Sequence, residues 1–542
     1  MYFKRNFFIF IFLLFSFFLW NFFKKENYLQ KKNFSSKENV NSFQNVLHEN
    51  NNQEVLIKTD VFSIIINKHN GNIKIVDLLK YKETKDSIKN FQLLKKNSNF
   101  LYQVKSGFNQ INSYNKKISL DYNTKKNFFE LLPHHNTLVV PMVCIKEDGT
   151  KYKKIFIFKR GRYDIQLKFS VYNFSNKKLN FNVFGEIIQT INSDNSNISN
   201  RSHNLNSYRG PAFSSDDQKY KKHDFDKIIS NDNLYKKIHS GWIAMLQKYF
   251  VTAWVPSKNL GLNTIYTKNI NSKIAVIGYY TSSFLVPKYG KKNINSSLWI
   301  GPEIQKDMKE LSPNLDLTVD YGFLWFLSQP LFKLLNFLHN IIGNWGFSII
   351  LITIIVRFFT YPLNRAQYLA MEKLKSLQPK LNYLKNKYNN NKKKMSEKII
   401  LLYKKEKINP FSGLLPLIFQ MPIFLSLYYM LTNSVELRHS PFIFWIQDLS
   451  SYDKFYVLPI IMGITMFFTQ KFSSNKKINK NQLNVSSIVS LQEKIVFIIP
   501  IFFTLFFLWF PSGLVLYYIV NNMVSIFQHK LVLKNFNKNK KK

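Results

Sequence analysis

The order of apolar and polar residues divides this 542-residue chain into regions of different character. Residues 1–24 contain a continuous apolar run close to the minimum length for spanning a bilayer. The run is not followed by the small-residue cleavage site of a signal peptide. We therefore predict an uncleaved signal-anchor helix at residues 1–24. Residues 25–54 are polar and rich in Asn, Lys and Ser, a composition typical of a flexible linker.

Residues 55–322 have the pattern of short strands. Segments of β-branched and aromatic residues alternate with turn signals, as in VFSIII at 61–66, which precedes Asn70 and Gly71. This pattern predicts an all-β sandwich. The region contains no G-x-S-x-G motif, and we identify no S-x-x-K sequence in it that places a nucleophile. We interpret it as a folded scaffold or binding domain and predict no enzymatic activity.

Long apolar runs dominate the rest of the chain. The last of them is interrupted by Pro511 and Gly513, a turn signal that divides it in two. The runs predict five spans, at about 341–362, 414–432, 455–472, 495–510 and 512–530. The apolar parts of the last two, at 495–510 and 512–527, would each be only about 24 Å long, which is short for a hydrocarbon core of about 30 Å.

Three further segments complete this half. Residues 323–340 are apolar but interrupted by Pro330, Lys333 and His339, which predicts an amphipathic helix along the membrane interface; a continuation of the span is the alternative. Residues 364–412 carry apolar residues at spacings of three and four and predict a cytoplasmic helical hairpin. Residues 536–542 form a basic tail.

The charges of the loops predict the orientation of the chain. Residues 364–412 contain 13 basic and 3 acidic residues, a net charge of +10, whereas residues 436–454 have a net charge of −1. By the positive-inside rule, the basic loop and the tail lie in the cytoplasm. Six spans then place both termini in the cytoplasm and the β domain in the periplasm, in a protein of the bacterial inner membrane.

The high overall charge does not indicate nucleic-acid binding. The chain has 76 Lys and Arg against 32 Asp and Glu, but only 8 of the 76 are arginine. Arginine is the preferred reader of phosphate and guanine. Cys144 is the single cysteine, so an intramolecular disulfide is excluded, and no zinc or nucleotide motif occurs in the sequence. We predict no metal and no cofactor.

Arg357 is the most informative candidate residue, because it lies within the apolar stretch 349–362. A charged arginine at mid-bilayer costs at least about 3 kcal/mol and usually faces a wet cavity or a polar partner. Thr353 is four residues earlier and so shares a face of the predicted helix. Snorkelling to the interface is the alternative, since Arg357 is only five residues from Pro362.

Several sequence strings then suggest a family. They include DLTVDYG at 316–322, GNWGFSII at 343–350, QMPIF at 420–424, FPSGLVLYYI at 510–519 and, in the β region, GWIAMLQ at 241–247. Together, and in their order along the chain, these strings resemble the YidC family of membrane protein insertases, in its six-span Gram-negative form. The resemblance implies a polytopic α-helical membrane protein with a five-helix insertase core and a large periplasmic β-sandwich domain.

The resemblance also implies a site. Arg357 would be the arginine of a hydrophilic groove open to the cytoplasm and to lipid, with Thr353 on the same side of its helix. Gln420 and Asn521 would line that groove, although ordinary hydrogen bonds between helices are an alternative for both. Tyr517 or Tyr518 matches a substrate-contacting position, and an interfacial aromatic belt is the alternative there.

The function implied by the resemblance is membrane protein insertion and chaperoning, alone or with the Sec translocon. Nascent integral membrane proteins and lipids would be the partners, and the basic cytoplasmic loop and tail could contact the ribosome. A secondary transporter is one alternative, but it would favour internal repeats and more than one intramembrane charge. A membrane-anchored periplasmic binding protein is another, and it would leave Arg357 unexplained.

Overall fold

The computed structural model describes residues 53–97, 100–111, 115–191, 208–257, 261–388, 391–406, 415–474 and 498–541. The predicted signal-anchor helix and nearly all of the predicted linker lie outside these residues. From Glu54 onward the chain forms one compact unit. Within it, a β region is followed by a helical region.

The structure describes twenty strands in the β region. They are β1 (Glu54–Lys58), β2 (Phe62–Asn67), β3 (Asn72–Lys82), β4 (Asn90–Lys96), β5 (Leu101–Ile111), β6 (Asn115–Lys117), β7 (Phe128–Glu130), β8 (Thr137–Ile145), β9 (Lys151–Lys159), β10 (Asp164–Tyr172), β11 (Leu179–Thr190), β12 (Gly210–Ser214), β13 (Lys221–Lys222), β14 (Tyr235–Ile238), β15 (Trp242–Gln247), β16 (Phe250–Val255), β17 (Asn263–Ile270), β18 (Ile274–Tyr280), β19 (Phe284–Val286) and β20 (Lys291–Pro302).

These strands form two sheets, which confirms the predicted β-sandwich. The larger sheet has the order β14-β17-β18-β11-β5-β4-β3-β2-β1-β7, with β19 on β11 and β6 on β5; the smaller has the order β13-β12-β15-β16-β20-β10-β9-β8. Pairing is antiparallel except between β1 and β7. Alternate residues along most strands are buried, and the core between the sheets contains three fully buried tryptophans, Trp242, Trp254 and Trp299.

One inward position in this core carries a charged residue type. On β9, Lys154 occupies the buried register between Tyr152 and Phe156. Its Nζ donates to the carbonyl oxygens of Gly71 (2.6 Å) and Ser106 (2.9 Å). Burial lowers the pKa of Lys154 to about 7. Two backbone carbonyls therefore replace the water that a buried ammonium loses.

Most helices of the helical region are short or of medium length, and the last one has 30 residues. The α-helices of the described residues are α1 (Phe225–Ile229), α2 (Gln305–Leu311), α3 (Trp325–Ile342), α4 (Trp345–Phe359), α5 (Tyr361–Ser376), α6 (Gln378–Lys387), α7 (Lys392–Lys405), α8 (Leu415–Asn433), α9 (Val457–Ser474), α10 (Ile498–Phe507) and α11 (Ser512–Lys541). Helix α3 buries one face, including Phe332 and Leu335, and exposes Phe326 and Phe337 on another.

The helix that carries Arg357, α4, is shorter than the predicted span at about 341–362. It begins at Trp345 and not at residue 341. Gly343 has a positive φ of 74° and ends α3, a conformation that favours glycine. The side chain of Asn344 then accepts hydrogen bonds from the backbone N–H groups of Gly346 and Phe347 and caps α4. Residues 341–344 are thus the end of one helix, a turn and the cap of the next. At its other end α4 stops at Phe359, where the prediction extends to 362.

The remaining boundaries differ from the predictions in detail. Helices α8 and α9 match the predicted spans at 414–432 and 455–472 to within two residues. Helix α11 continues through most of the predicted basic tail. Within the described residues, no helix alone is both long enough and apolar enough to cross a membrane. Only Trp345–Phe359 and Tyr361–Lys373, taken together across a bend of 64°, meet that criterion.

An arginine joins the two regions. Arg438, in the loop after α8, donates from Nη2 to the carbonyl oxygens of Lys82 (2.7 Å) and Glu83 (3.1 Å) in the β region. Its guanidinium also lies 5.3 Å and 5.4 Å from the ring centroids of Phe91 and Phe250, within cation–π range. The loop between α8 and α9 is therefore fastened to the β-sandwich.

A second charged group stabilises the larger sheet. Glu186 is nearly fully buried on β11 and accepts from Lys117 (2.6 Å), Tyr266 (2.7 Å) and Lys268 (2.9 Å). Burial opposes its ionisation, but Lys117 and Lys268 outweigh that effect and lower the pKa of Glu186 to about 2. Because the folded-state pKa lies below its ordinary value of 4.5, this carboxylate stabilises the fold above that pH and loses its contribution as the pH falls toward about 2.

We predict that Glu186→Gln destabilises the protein by about 2–3 kcal/mol at neutral pH, since the buried donors lose a charged acceptor. Thermal unfolding of the full-length protein in detergent tests this. The difference from wild type should shrink as the pH falls from 4.5 to about 2. Glu130→Gln is the matched control, because its pair with Lys58 is exposed and should contribute less than about 0.5 kcal/mol. Equal effects of the two substitutions would contradict the prediction.

Candidate functional site

Arg357 lies in the last turn of α4 with only 7 % of its surface exposed. Its Nε donates to Oδ1 of Asn521 on α11 at 2.5 Å. The end of a helix is a favourable place for a cation, because the unpaired carbonyls carry partial negative charge. No Asp or Glu among the described residues forms an ion pair with Arg357. The guanidinium is thus buried, bonded to a neutral amide, and without a counter-charge in this part of the chain.

Asn521 is the centre of this arrangement. The same Oδ1 that accepts from Arg357 also accepts from Nε2 of Gln420 on α8, at 3.0 Å. An amide oxygen has two lone pairs, so both are used. One side-chain oxygen therefore ties α4, α8 and α11 together.

Further polar groups extend from this centre along α11. Gln528 donates from Nε2 to the carbonyl oxygen of Arg357 at 3.0 Å, one of the carbonyls that a helix end leaves unpaired. Asn364 on α5 donates to Oε1 of Gln528 at 3.3 Å. Sequence analysis did not identify Asn364 or Gln528. The spacing of Asn521, Ser525 and Gln528, at intervals of four and three, was a readable signal, since it places all three on one helix face.

A small cavity of about 20 Å³ lies beside these groups. It is lined by Val356, Arg357, Thr360, Leu363, Asn364, Gln420, Ile423, Tyr517 and Asn521. A buried water needs about 10–15 Å³, so the space holds one or two water molecules. The cavity is therefore narrow; six of its nine lining residues carry a polar or charged group, but most of its wall is apolar. Chemically it offers guanidinium N–H donors in a region of low dielectric, where an anionic group is attracted more strongly than in water.

The structure brings together four of the candidate residues, namely Arg357, Gln420, Tyr517 and Asn521. Thr353 is not among the lining residues, and its hydroxyl donates to the carbonyl oxygen of Ile349 at 2.6 Å. Tyr518 is not among them either. Its ring lies 5.2 Å from that of Phe424 and 4.9 Å from that of Phe507. Thr353 bonds within its own helix, and Tyr518 belongs to an aromatic cluster.

No group of three or more metal-ligating side chains occurs among the described residues.

Two family models cover almost all of the chain from residue 54 onward. The model of the YidC periplasmic domain matches residues 54–334, and that of the 60Kd inner membrane protein matches residues 337–540. A membrane protein insertase YidC from Buchnera aphidicola subsp. Acyrthosiphon pisum (strain 5A) is 51 % identical over 542 residues, 99 % of each chain. The chain belongs to the YidC family of membrane protein insertases. The transporter and binding-protein alternatives are therefore set aside.

Other YidC relatives show similar agreement. The protein from Buchnera aphidicola subsp. Baizongia pistaciae (strain Bp) is 47 % identical over 546 residues, again 99 % of each chain. A solved structure described as an active YidC insertase with the first transmembrane domain resolved matches with a TM-score of 0.39 and 16 % identity. It covers 88 % of this chain and 92 % of the other. The two family models meet between residues 334 and 337, inside α3.

We predict that the cavity of this YidC-family chain is hydrated. In a Cys144→Ser background, Gln420→Cys should react with a membrane-impermeant maleimide about tenfold faster than Leu427→Cys, because thiol reactivity needs the solvated thiolate. Leu427 lies two turns further along α8, is 1 % exposed and belongs to the apolar helix core. The reagent would be added to inverted membrane vesicles and labelling followed over time. Equal protection of both positions would contradict a hydrated cavity.

Proposed function

We propose that this insertase transfers the polar flanks of membrane proteins past the cavity around Arg357. The observation that carries the proposal is a buried guanidinium bonded to Asn521, with no carboxylate partner among the described residues. Keeping such a charge unpaired is costly, which suggests that its counter-charge is supplied by the substrate. An acidic residue in the translocating flank has the required chemistry.

The physical task of an insertase is to lower the barrier that hydrocarbon presents to polar groups. A polar cavity reaching part-way across the membrane shortens the low-dielectric path, and Arg357 adds an attraction for acidic residues. The hydrophobic segment of the substrate then leaves sideways into lipid, driven by its own burial. The membrane potential acts on charged flanks at about 2.3 kcal/mol per charge per 100 mV. Neither step requires covalent chemistry.

The proposed topology has six spans and a five-helix core in the inner membrane. The core would consist of α4, α8, α9, α10 and α11, with α6 and α7 forming the cytoplasmic hairpin. The net charge of +10 at residues 364–412 supports a cytoplasmic position for that hairpin. The polar stripe on α11, from Asn521 to Gln528, would then run from the cavity toward the cytoplasm. Both termini would lie in the cytoplasm and the β-sandwich in the periplasm.

The proposed clients are nascent integral membrane proteins, received directly or from the Sec translocon. Basic side chains on the hairpin and at the end of α11 give the cytoplasmic face a strongly positive charge. That charge suits anionic lipid headgroups and the RNA surface of a ribosome. These partners follow from the insertase family and from charge, and each is open to a binding assay.

We predict that Arg357→Ala slows insertion of a substrate with an acidic translocated flank by about tenfold, the loss of roughly one charge-assisted hydrogen bond. Arg357→Lys should retain part of the rate, since it keeps the charge but loses the planar fork of donors. The assay is complementation of a bacterial strain depleted of its own insertase, with pulse-labelled substrate followed by protease protection.

The substrate provides the control for this experiment. The same substrate with its acidic flank residues changed to Asn or Gln should be inserted at similar rates by wild type and Arg357→Ala. If the unmodified chain fails to restore insertion, the proposed function is wrong. If Arg357→Ala matches wild type on the acidic substrate, the arginine has no role in attraction.

We also predict that Asn521→Asp inhibits insertion of the acidic substrate about as strongly as Arg357→Ala, because an internal carboxylate at 2.5 Å from Arg357 would neutralise the guanidinium. The matched control is Asn522→Asp. Asn522 is the next residue, but its side chain points to Thr465 on α9 at 3.2 Å. The two variants carry the same added charge, so equal inhibition would indicate a general effect of charge on α11.

A further inference from the structure

The β-sandwich contains a pocket that the proposed insertion mechanism does not use. Its volume is about 200 Å³, room for roughly a dozen water molecules. It lies where the turn between β2 and β3 meets β5, β6, β11 and the segment after β6. The residues that line it are Asn70, Asn72, Lys105, Ser106, Gly107, Lys117, Ile118, Ser119, Leu120, Tyr122 and Phe184.

Two amides present donors to this pocket. Asn70 Oδ1 accepts from the backbone N–H of Leu120 at 2.9 Å, and Asn72 Oδ1 accepts from that of Ser106 at 3.3 Å. A backbone N–H can bond only to the amide oxygen, so the orientation of both side chains is fixed. The NH₂ group of each is then the end that remains available, since no hydrogen bond within the described residues engages either nitrogen.

The charge around the pocket is positive. Lys105 and Lys117 line it, and Lys268 shares the buried carboxylate of Glu186 with Lys117. Burial lowers the pKa of Lys117; Glu186 opposes this, and the nearby cations Lys268 and Lys105 lower the pKa further. Two ammonium groups thus share one carboxylate, and Lys105 adds a third positive charge nearby, which leaves an excess of positive charge at the pocket.

The pocket also has an apolar wall and an open side. The ring of Phe184 is nearly buried and lies 4.5 Å from Nζ of Lys117. Leu120 and Tyr122 are buried beside it. Lys117 and Ser119, by contrast, are exposed to solvent. The carboxylate of Asp121, next in sequence to Leu120, is bonded to His69 at 2.6 Å.

We propose that this pocket binds a small organic oxyanion, a solute that carries a carboxylate or phosphate group. Its anionic oxygens would meet Lys105 and Lys117 and the amide nitrogens of Asn70 and Asn72. Its carbon skeleton would pack on Phe184. The pattern suits an anion because it combines several fixed donors with cations. It suits an organic one because one wall is aromatic.

Isothermal titration of the full-length protein in a zwitterionic detergent tests the proposal, with citrate, glucuronate and inorganic phosphate as probes and neutral glucose as the comparison. At least one anion should bind saturably at millimolar concentration or below, and glucose should not. The preference among the three probes identifies the carboxylate or the phosphate as the recognised group. Lys105→Gln should weaken the binding about tenfold, since it removes one charge-assisted contact.

Lys168→Gln is the matched control. Lys168 is also an exposed lysine on a strand, but it lies on β10 in the other sheet and should leave the affinity unchanged. Asn72→Ser, which shortens one amide donor, should weaken binding with little effect on the melting temperature. The proposal is overturned if no probe anion binds saturably, if glucose binds equally well, or if Lys168→Gln weakens binding as much as Lys105→Gln. Each outcome is independent of whether the chain inserts membrane proteins.

Discussion

The helical region depends on how one guanidinium is kept among apolar residues. Removing such a charge from water costs several kcal/mol unless hydrogen bonds compensate for the loss. Here Asn521 accepts from Arg357 and from Gln420 with the same oxygen, and Gln528 binds the carbonyl oxygen of Arg357. Satisfying the arginine therefore also fixes α11 against α4 and α8. All of these groups except Arg357 are neutral, so the cluster keeps its positive charge. Because their polar atoms are paired with one another, the cluster loses little stability.

The opposite end of the helical region is constrained by the β-sandwich. Asn433, at the end of α8, donates to the carbonyl oxygen of Asp320 at 2.6 Å. Val435 is buried as part of the β-sandwich core, and Arg438 binds carbonyls between β3 and β4. These contacts span sequence separations of more than a hundred residues. Helix α8 is thus held at one end by the β region, whereas the side chain of Gln420 near its other end meets Asn521. Helix α8 therefore links the β region to the polar cluster at Asn521.

Local patterns predicted the elements well, and contacts between elements poorly. Segments of β-branched and aromatic residues between turn signals predicted the strands, and an isolated charge in an apolar stretch identified Arg357. Asn521, which contacts Arg357, is 164 residues away in the sequence. Only the family resemblance suggested that it belongs to the site. Periodicity identifies one face of a helix, but it does not identify the helix that packs against that face. Thr353 illustrates a second limit of local patterns. A threonine hydroxyl in a helix can bond to the carbonyl four residues earlier, as it does with Ile349, so a polar residue on the arginine's face need not serve the cavity.

The size of the cavity limits how Arg357 can act. A helix with its side chains is about 10 Å across, whereas the cavity is about 20 Å³, so a hydrophobic segment cannot enter while α4, α8 and α11 remain in contact. The contacts that hold these helices at Asn521 are two hydrogen bonds, each worth about 0.5–1.5 kcal/mol net and more where charged. Breaking these two hydrogen bonds therefore costs only a few kcal/mol, within the range that burial of a new apolar segment supplies. An acidic side chain of the substrate that displaced the amide of Asn521 from the guanidinium would lower that cost further. Its carboxylate would accept the hydrogen bond of Arg357 in place of the amide.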